Sequence, residues 1–256
     1  MKHKHKNLME EKLNNNFVKD YYDKQVGALK TSYSEDRWFA SKEKRFDYNQ
    51  TLRTIKKALG KEKFKKILEI GPGDGVWSKI IISAGGNLDL LDQSKEMIKM
   101  AKIRLEKESN VNYQVNDFLK FDSPYSKYDL IFSSRCFEYF KEKNLLVEKM
   151  NKLLVKGGKL IIITKNSKYF SSKGRSNKLI HSDQKSRGEM LQLLRNNNFK
   201  VLNVYPAVIR WKSKYFINRI FFDSIHRFFV LFKGQFLLDK VFTYSIESYI
   251  YIAKKE

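Results

Sequence analysis

Between Lys66 and Thr164, short apolar runs alternate with segments of helical period, and this alternation limits what the chain can fold into more than any other feature. The runs are Ile67 to Ile70, Leu88 to Leu91, Val111 to Val115, Tyr128 to Ser133 and Lys159 to Thr164. Val76 to Ala84, Ser94 to Glu108 and Asn144 to Leu154 lie between them. Strands separated by helix-length segments pair in parallel and are covered on both faces, so an α/β architecture is predicted. A helix from Gln184 to Asn197, a left-handed turn in Asn196-Asn-Asn198 and strands at Phe199 to Tyr205 and Glu247 to Ala253 bring the sheet to seven strands, mostly parallel.

The flanks read differently. Met9, Leu13, Phe17 and Tyr21 recur four apart, which predicts an amphipathic helix over 9–24, and Phe46 to Leu59 reads as a second helix ended by Gly60. Residues 1–60 are therefore expected to form an arm and a helical lid, and 61–256 one domain. That domain carries a polar loop at 165–188 and an aromatic, basic insertion at 212–242 before the last strand.

The chain has 51 Lys+Arg against 28 Asp+Glu, a formal charge of +23, which suits an anionic partner and equally describes a solvated basic surface. Cys136 is the only cysteine, so an intramolecular disulfide and any multi-cysteine metal site are excluded and a reducing cytoplasm is the expected home. The basic start, Met-Lys-His-Lys-His-Lys, has no apolar run behind it and does not read as a secretory signal.

The densest chemical signal is Ile67-Leu-Glu69-Ile-Gly71-Pro-Gly73-Asp-Gly75-Val76, a strand entering a glycine turn that opens a helix. Such a turn lets backbone approach a ligand closely and points free amides at it. A dinucleotide fingerprint would place its third glycine at 76, where valine stands, which weakens the reading as an NAD-linked oxidoreductase.

Glu69, Gly71, Gly73 and Gly75 instead resemble motif I of class I S-adenosylmethionine-dependent methyltransferases, E/D-x-G-x-G-x-G. Further segments carry the resemblance in order: Leu88 to Met97, ending a strand on Asp92; Val115-Asn-Asp117-Phe118; Tyr128-Asp129 with Ser133 and Glu138-Tyr139; and Leu153-Leu-Val-Lys-Gly157-Gly158. Tyr139 and Lys156 depart from the usual His and Pro. The resemblance implies a Rossmann-like sheet with S-adenosylmethionine as cofactor. It assigns Asp92 to the ribose hydroxyls, Gln93 and Met97 to the flanks of the adenosine, and Asp117 and Phe118 to the adenine. Ser133 falls in the fourth-strand motif. Trp38, Arg45 and Tyr48 fall on a helix that closes over the cofactor, with Arg45 as partner for its carboxylate.

Methyl transfer needs alignment more than a strong catalytic motif, because the sulfonium is already an excellent leaving group. An oxygen acceptor of high pKa gains from a base. His181, in the loop before the Gln184 helix, is the candidate. The insertion places Phe216, Ile217, Ile220, Phe221, Phe228, Leu231 and Phe232 on one helical face and Arg219, Asp223, His226 and Lys233 opposite, the pattern of a helix on an anionic membrane surface or of a cover over the domain. It is too interrupted by charge to span a bilayer. A small or lipid-like acceptor, methylated at oxygen, is therefore expected. Rival readings are an RNA methyltransferase, which the charge favours but no RNA-binding module supports, and a non-catalytic cofactor-binding scaffold.

Overall fold

The structure, a computed structural model, describes residues 15–28, 32–170, 184–210, 216–231 and 242–256. Its strands are β1 (Lys66–Ile70), β2 (Asn87–Asp92), β3 (Val111–Val115), β4 (Tyr128–Ser134), β5 (Leu154–Lys165), β6 (Phe199–Ile209) and β7 (Ile246–Lys255). Its α-helices are α1 (Asn15–Ala28), α2 (Lys42–Leu59), α3 (Ser78–Ile81), α4 (Lys95–Arg104), α5 (Lys143–Leu153), α6 (Arg187–Asn196) and α7 (Phe216–Leu231).

The seven strands form one sheet in the order β3-β2-β1-β4-β5-β7-β6. Pairings from β3 across to β5 are parallel, and β7 runs antiparallel to both of its neighbours. The expected Rossmann-like, mostly parallel sheet is thus present.

Strand residues alternate between two cores, which is why the runs read as continuously apolar. Leu68, Ile131 and Ile162 face one core, where α5 and α6 contribute Leu146, Met150, Met190 and Leu194. Ile67, Leu130 and Ile161 face the other, with Ile55 and Ala58 of α2 and Ile98 and Ala101 of α4. Serine caps fix the helix starts: Ser41 accepts from the Lys44 amide, Ser94 from that of Met97, and Ser186 forms a capping box with Glu189. Asn198 takes the predicted left-handed conformation at φ 58°.

Several elements differ from the sequence expectation. The helix expected from Val76 to Ala84 is α-helical only from Ser78 to Ile81 and tightens to a 3₁₀ turn at Ile82–Ala84, ended by Gly85 at φ 95°. β5 begins at Leu154 rather than Lys159. Leu154 pairs with Tyr128 and Lys159 with Leu130, so the intervening residues bulge out, with Gly157 at φ 72°. α7 is rotated from the expected amphipathic cover: Phe222, Phe229 and Val230 are buried together with Asp223 and His226, whereas Phe221, Phe228 and Leu231 are 60%, 54% and 68% exposed.

The inward polar edge of α7 is satisfied by α2 and β6. Arg53 donates to Asp223 through both terminal nitrogens at 3.2–3.3 Å, and Arg227 donates to the same carboxylate at 2.9 Å. His226 Nε2 lies 3.0 Å from the Pro206 carbonyl, so it carries the proton, and Nδ1 accepts from Arg53 at 2.7 Å. Burial and the Arg53 charge push the imidazole down to about 3, so it is neutral. No helix among the described residues is long and apolar enough to cross a membrane.

Candidate functional site

The carboxyl ends of β1, β2, β3 and β4 open into a cavity of about 120 Å³. In an open α/β sheet this edge is where ligands bind, because the chain leaves each strand there for the next helix and opens a crevice. Gly71 and Gly73 form one wall, at φ 68° and 58°. A side chain on Gly71 would place its first carbon 2.5 Å from Cys136 Sγ, so only glycine lets β1 turn beside the end of β4. The first carbon of a side chain on Gly73 would lie 3.9 Å from Met97 Sδ, on the wall of the cavity. Gly75 lies off the cavity, packed on Ala101 of α4.

Asp92, the last residue of β2, is held by two backbone amides: Gly73 N donates to Oδ2 at 3.2 Å and Ser94 N to Oδ1 at 2.9 Å. Burial outweighs these bonds and raises the carboxyl to about 6, with Asp23 adding to the rise. Gln93, Met97, Asp117 and Phe118 line the same wall. Asp117 Oδ1 also accepts from the Leu119 amide at 3.0 Å, which fixes the turn after β3.

Glu69 lies beneath this surface, 1% exposed, and does not reach the cavity. Burial raises it to about 8, and its Oε2 has no hydrogen-bond partner among the described residues. Ser133 is likewise fully buried and does not line the cavity; Ser134, Arg135 and Cys136 line it instead. Arg45 is not at the cavity. It sits on the solvent side of α2, and its Nε donates to the Phe39 carbonyl at 3.4 Å. His181 lies outside the described residues.

Several contributors carry no motif. Lys19 and Tyr22 of α1, with Tyr33, Arg37 and Trp38, form the wall opposite the glycines. The Tyr22 and Tyr139 hydroxyls are hydrogen-bonded, and burial raises both phenols well above the usual range. Tyr48 stacks on Trp77 at 5.0 Å and braces Trp38 from behind. Asp74 clasps this wall to the loop: it accepts from Ser34 N at 2.8 Å and from Arg104 at 3.0 Å, while Arg104 Nε donates to the Asp74 carbonyl. An Asp between two glycines and an Arg in the last turn of α4 were visible in the sequence, but their meeting was not. Cys136 is held as a neutral thiol by burial, with Asp92 and Glu138 adding to the rise, which argues against a nucleophilic role.

This donor set fits S-adenosylmethionine. A carboxylate at the tip of β2 suits a diol, an acid and an aromatic at the tip of β3 suit an aminopurine, glycine backbone permits close approach, and Arg37 is a cation within the same cavity for an amino-acid carboxylate.

The profile of a family described as "Methyltransferase domain" matches residues 67–158. Two curated relatives from Ilyobacter polytropus are malonyl-[acyl-carrier protein] O-methyltransferases 1 and 2. They are 32% identical over 150 residues, covering 56% of each chain, and 37% identical over 105 residues, covering 40% of each. The chain thus matches about half the length of these relatives or less. Among solved structures, the N-methyltransferase NodS from Bradyrhizobium japonicum, in complex with S-adenosylhomocysteine, superposes with a TM-score of 0.63 at 13% identity, covering 93% of this chain and 97% of that one. Residues 67–158 are thus similar to the methyltransferase domain family, and the chain shares its fold with a solved methyltransferase.

Proposed function

We propose that the chain transfers the methyl group of S-adenosylmethionine to an oxygen of a small-molecule acceptor. The observation that carries this reading is the Asp92 carboxylate, anchored by the Gly73 and Ser94 amides on the wall that Gly71 and Gly73 share. Each oxygen keeps a lone pair for a ribose hydroxyl. Asp117 accepts from the adenine amine, Phe118 covers the ring, and Gln93 and Met97 flank it. Arg37, rather than Arg45, pairs with the cofactor's carboxylate.

When bound, the cofactor supplies a methyl group already activated on a sulfonium. The chain's own work is to orient the acceptor and exclude water, and the aromatic wall of Tyr22, Tyr33 and Trp38 suits that. The oxygen-directed names of the two curated relatives support the choice of atom. Calorimetry on the full chain tests the reading. S-adenosylhomocysteine is expected to bind and NAD not to, with Asp92→Ala weakening binding at least tenfold; no uptake of S-adenosylhomocysteine by folded protein overturns it.

The exposed row on α7 supports a second, independent element of the proposal: the protein rests on an anionic bilayer. Ile220, Phe221, Phe228 and Leu231 face outward beside Arg227, on a chain of charge +23. Flotation with phosphatidylglycerol vesicles is expected and should fail in Phe221→Ser/Phe228→Ser; wild-type protein that does not float removes this element.

A further inference from the structure

The edge of the sheet opposite the cavity carries a row of lysines. β1, β4, β5 and β6 start at this edge and β7 ends there. Ile67, Leu130, Lys159, Lys254 and Lys200 lie on one register line across these five strands. Lys65, Lys127 and Lys156 stand just outside that line, each a few residues before its strand's member of it. Lys56 and Lys57, in the last turn of α2, and Lys61, just after it, are exposed and extend the row.

The acids at this edge do not cancel the row. Asp129 Oδ2 accepts from the Lys65 and Lys66 amides at 2.9 and 2.8 Å, and Asp89 is taken by Lys66, Asn112 and Tyr128. Glu62 pairs with Lys159 at 2.8 Å and Glu148 with Lys152 at 2.6 Å, while Glu256 is exposed just beyond β7. Lys65, Lys156, Lys200 and Lys254 make no ion pair among the described residues. Lys254 stands directly opposite Lys200 on one side and Lys159 on the other. Three like charges thus share one face of adjacent strands, which costs stability until anions intervene, and Glu62 answers only Lys159. Beside the row Tyr125 is 71% exposed; the next residue, Ser126, donates its amide to the Lys152 carbonyl at 2.9 Å, which holds this loop against the end of α5.

We infer that this edge binds single-stranded nucleic acid, independently of the methyl-transfer reading above. Neighbouring strands lie about 5 Å apart, so the lysines form a line of point charges on flexible stems, each able to meet one phosphate of an extended strand. Tyr125 offers a π-face on which a base stacks, which a carboxylate-bearing protein partner would leave unused. The contacts are to backbone phosphates and one ring face, so the strand is held without sequence preference. The cavity opens at the other edge of the sheet, and a strand bound here leaves it accessible.

The test is fluorescence anisotropy of the full chain with a fluorescein-labelled oligouridylate of about twelve nucleotides, within the range of single-strand site sizes. On a double-logarithmic plot, affinity is expected to fall with salt at a slope of about −3 to −4, that of about five phosphate contacts on a single strand. Lys65→Ser/Lys156→Ser/Lys200→Ser is expected to weaken binding by about tenfold or more and to flatten the slope by about 2, without lowering the melting temperature. Tyr125→Ala is expected to weaken binding by about fivefold or more and to leave the slope unchanged. No binding at low salt, or full affinity in the triple lysine variant, overturns the inference. Full affinity in Tyr125→Ala, or competition by polyglutamate equal to that of unlabelled oligouridylate, overturns the assignment to nucleic acid.

Discussion

Arg53 of α2 donates to His226 of α7 across 2.7 Å, so the last helix before β7 is held through a neutral imidazole. Folding lowers the His226 pKa from its ordinary 6.5 to about 3, and the folded state therefore binds fewer protons than the unfolded one. The stability this site contributes is complete above pH 6.5 and is lost as pH falls from there toward 3. Hydrogen exchange should show α7 amides losing protection between pH 6.5 and 5, ahead of β1 and β4. Equal loss across all three elements would contradict the assignment.

On the proposed reading, Asp92 makes cofactor affinity acid-sensitive. Its carboxyl titrates near 6, and only the ionised form offers lone pairs to both ribose hydroxyls. The Kd for S-adenosylhomocysteine should be flat above about pH 7 and rise by up to about tenfold per pH unit below 6. In Asp92→Asn, binding should be weaker and this slope absent.

The sign reverses for Glu69. Its folded pKa of about 8 exceeds the ordinary 4.5, so the folded state keeps a proton that the unfolded state sheds. Stability falls as pH rises from 4.5 through 8. Glu69→Gln preserves the shape without the ionisation and should melt higher than wild type at pH 8.5, with the difference shrinking at pH 5.

Gly71→Ala tests the close approach of β1 and β4. The new methyl would meet Cys136 Sγ at 2.5 Å in a left-handed conformation, a cost of about 1–3 kcal/mol from the backbone alone. Thermal unfolding should show the loss, together with weaker S-adenosylhomocysteine binding.

Asp74→Ala unties the N-terminal wall. Ser34 N and Arg104 both lose their acceptor, which should cost about 1–3 kcal/mol and raise proteolysis within residues 32–39. Melting temperature and cleavage-site mapping check both effects.

The sheet was legible because each strand is covered on both faces and so reads as an unbroken apolar run; the strand starts and ends fell within a few residues of expectation, with β5 the exception, where the bulge before Lys159 breaks the pattern. That Gly71, Gly73, Asp92, Asp117 and Phe118 line one cavity was legible for a related reason: each sits at a strand end, where position in sequence fixes position in space. Arg37, Tyr22 and Lys19 were not, because they reach the cavity from elements whose packing no local pattern specifies. Arg45 illustrates the limit. It shares the basic, helical context that made it a candidate, yet one helical face separates solvent from site. α7 failed in the opposite way: the expected apolar row of Ile220, Phe221, Phe228 and Leu231 faces outward, and the helix instead buries Phe222 and Phe229 beside Asp223 and His226, which Arg53, far away in sequence, holds inward.

β7 lies between β5 and β6, so for more than thirty residues of synthesis β6 has no strand to pair with on either side. A ribosome must complete residues 246–255 before the sheet can close, and until then two apolar edges wait exposed. Assembly of this protein is thus timed by its final strand, and nascent chains stalled in the 212–242 insertion should be the ones that chaperones hold.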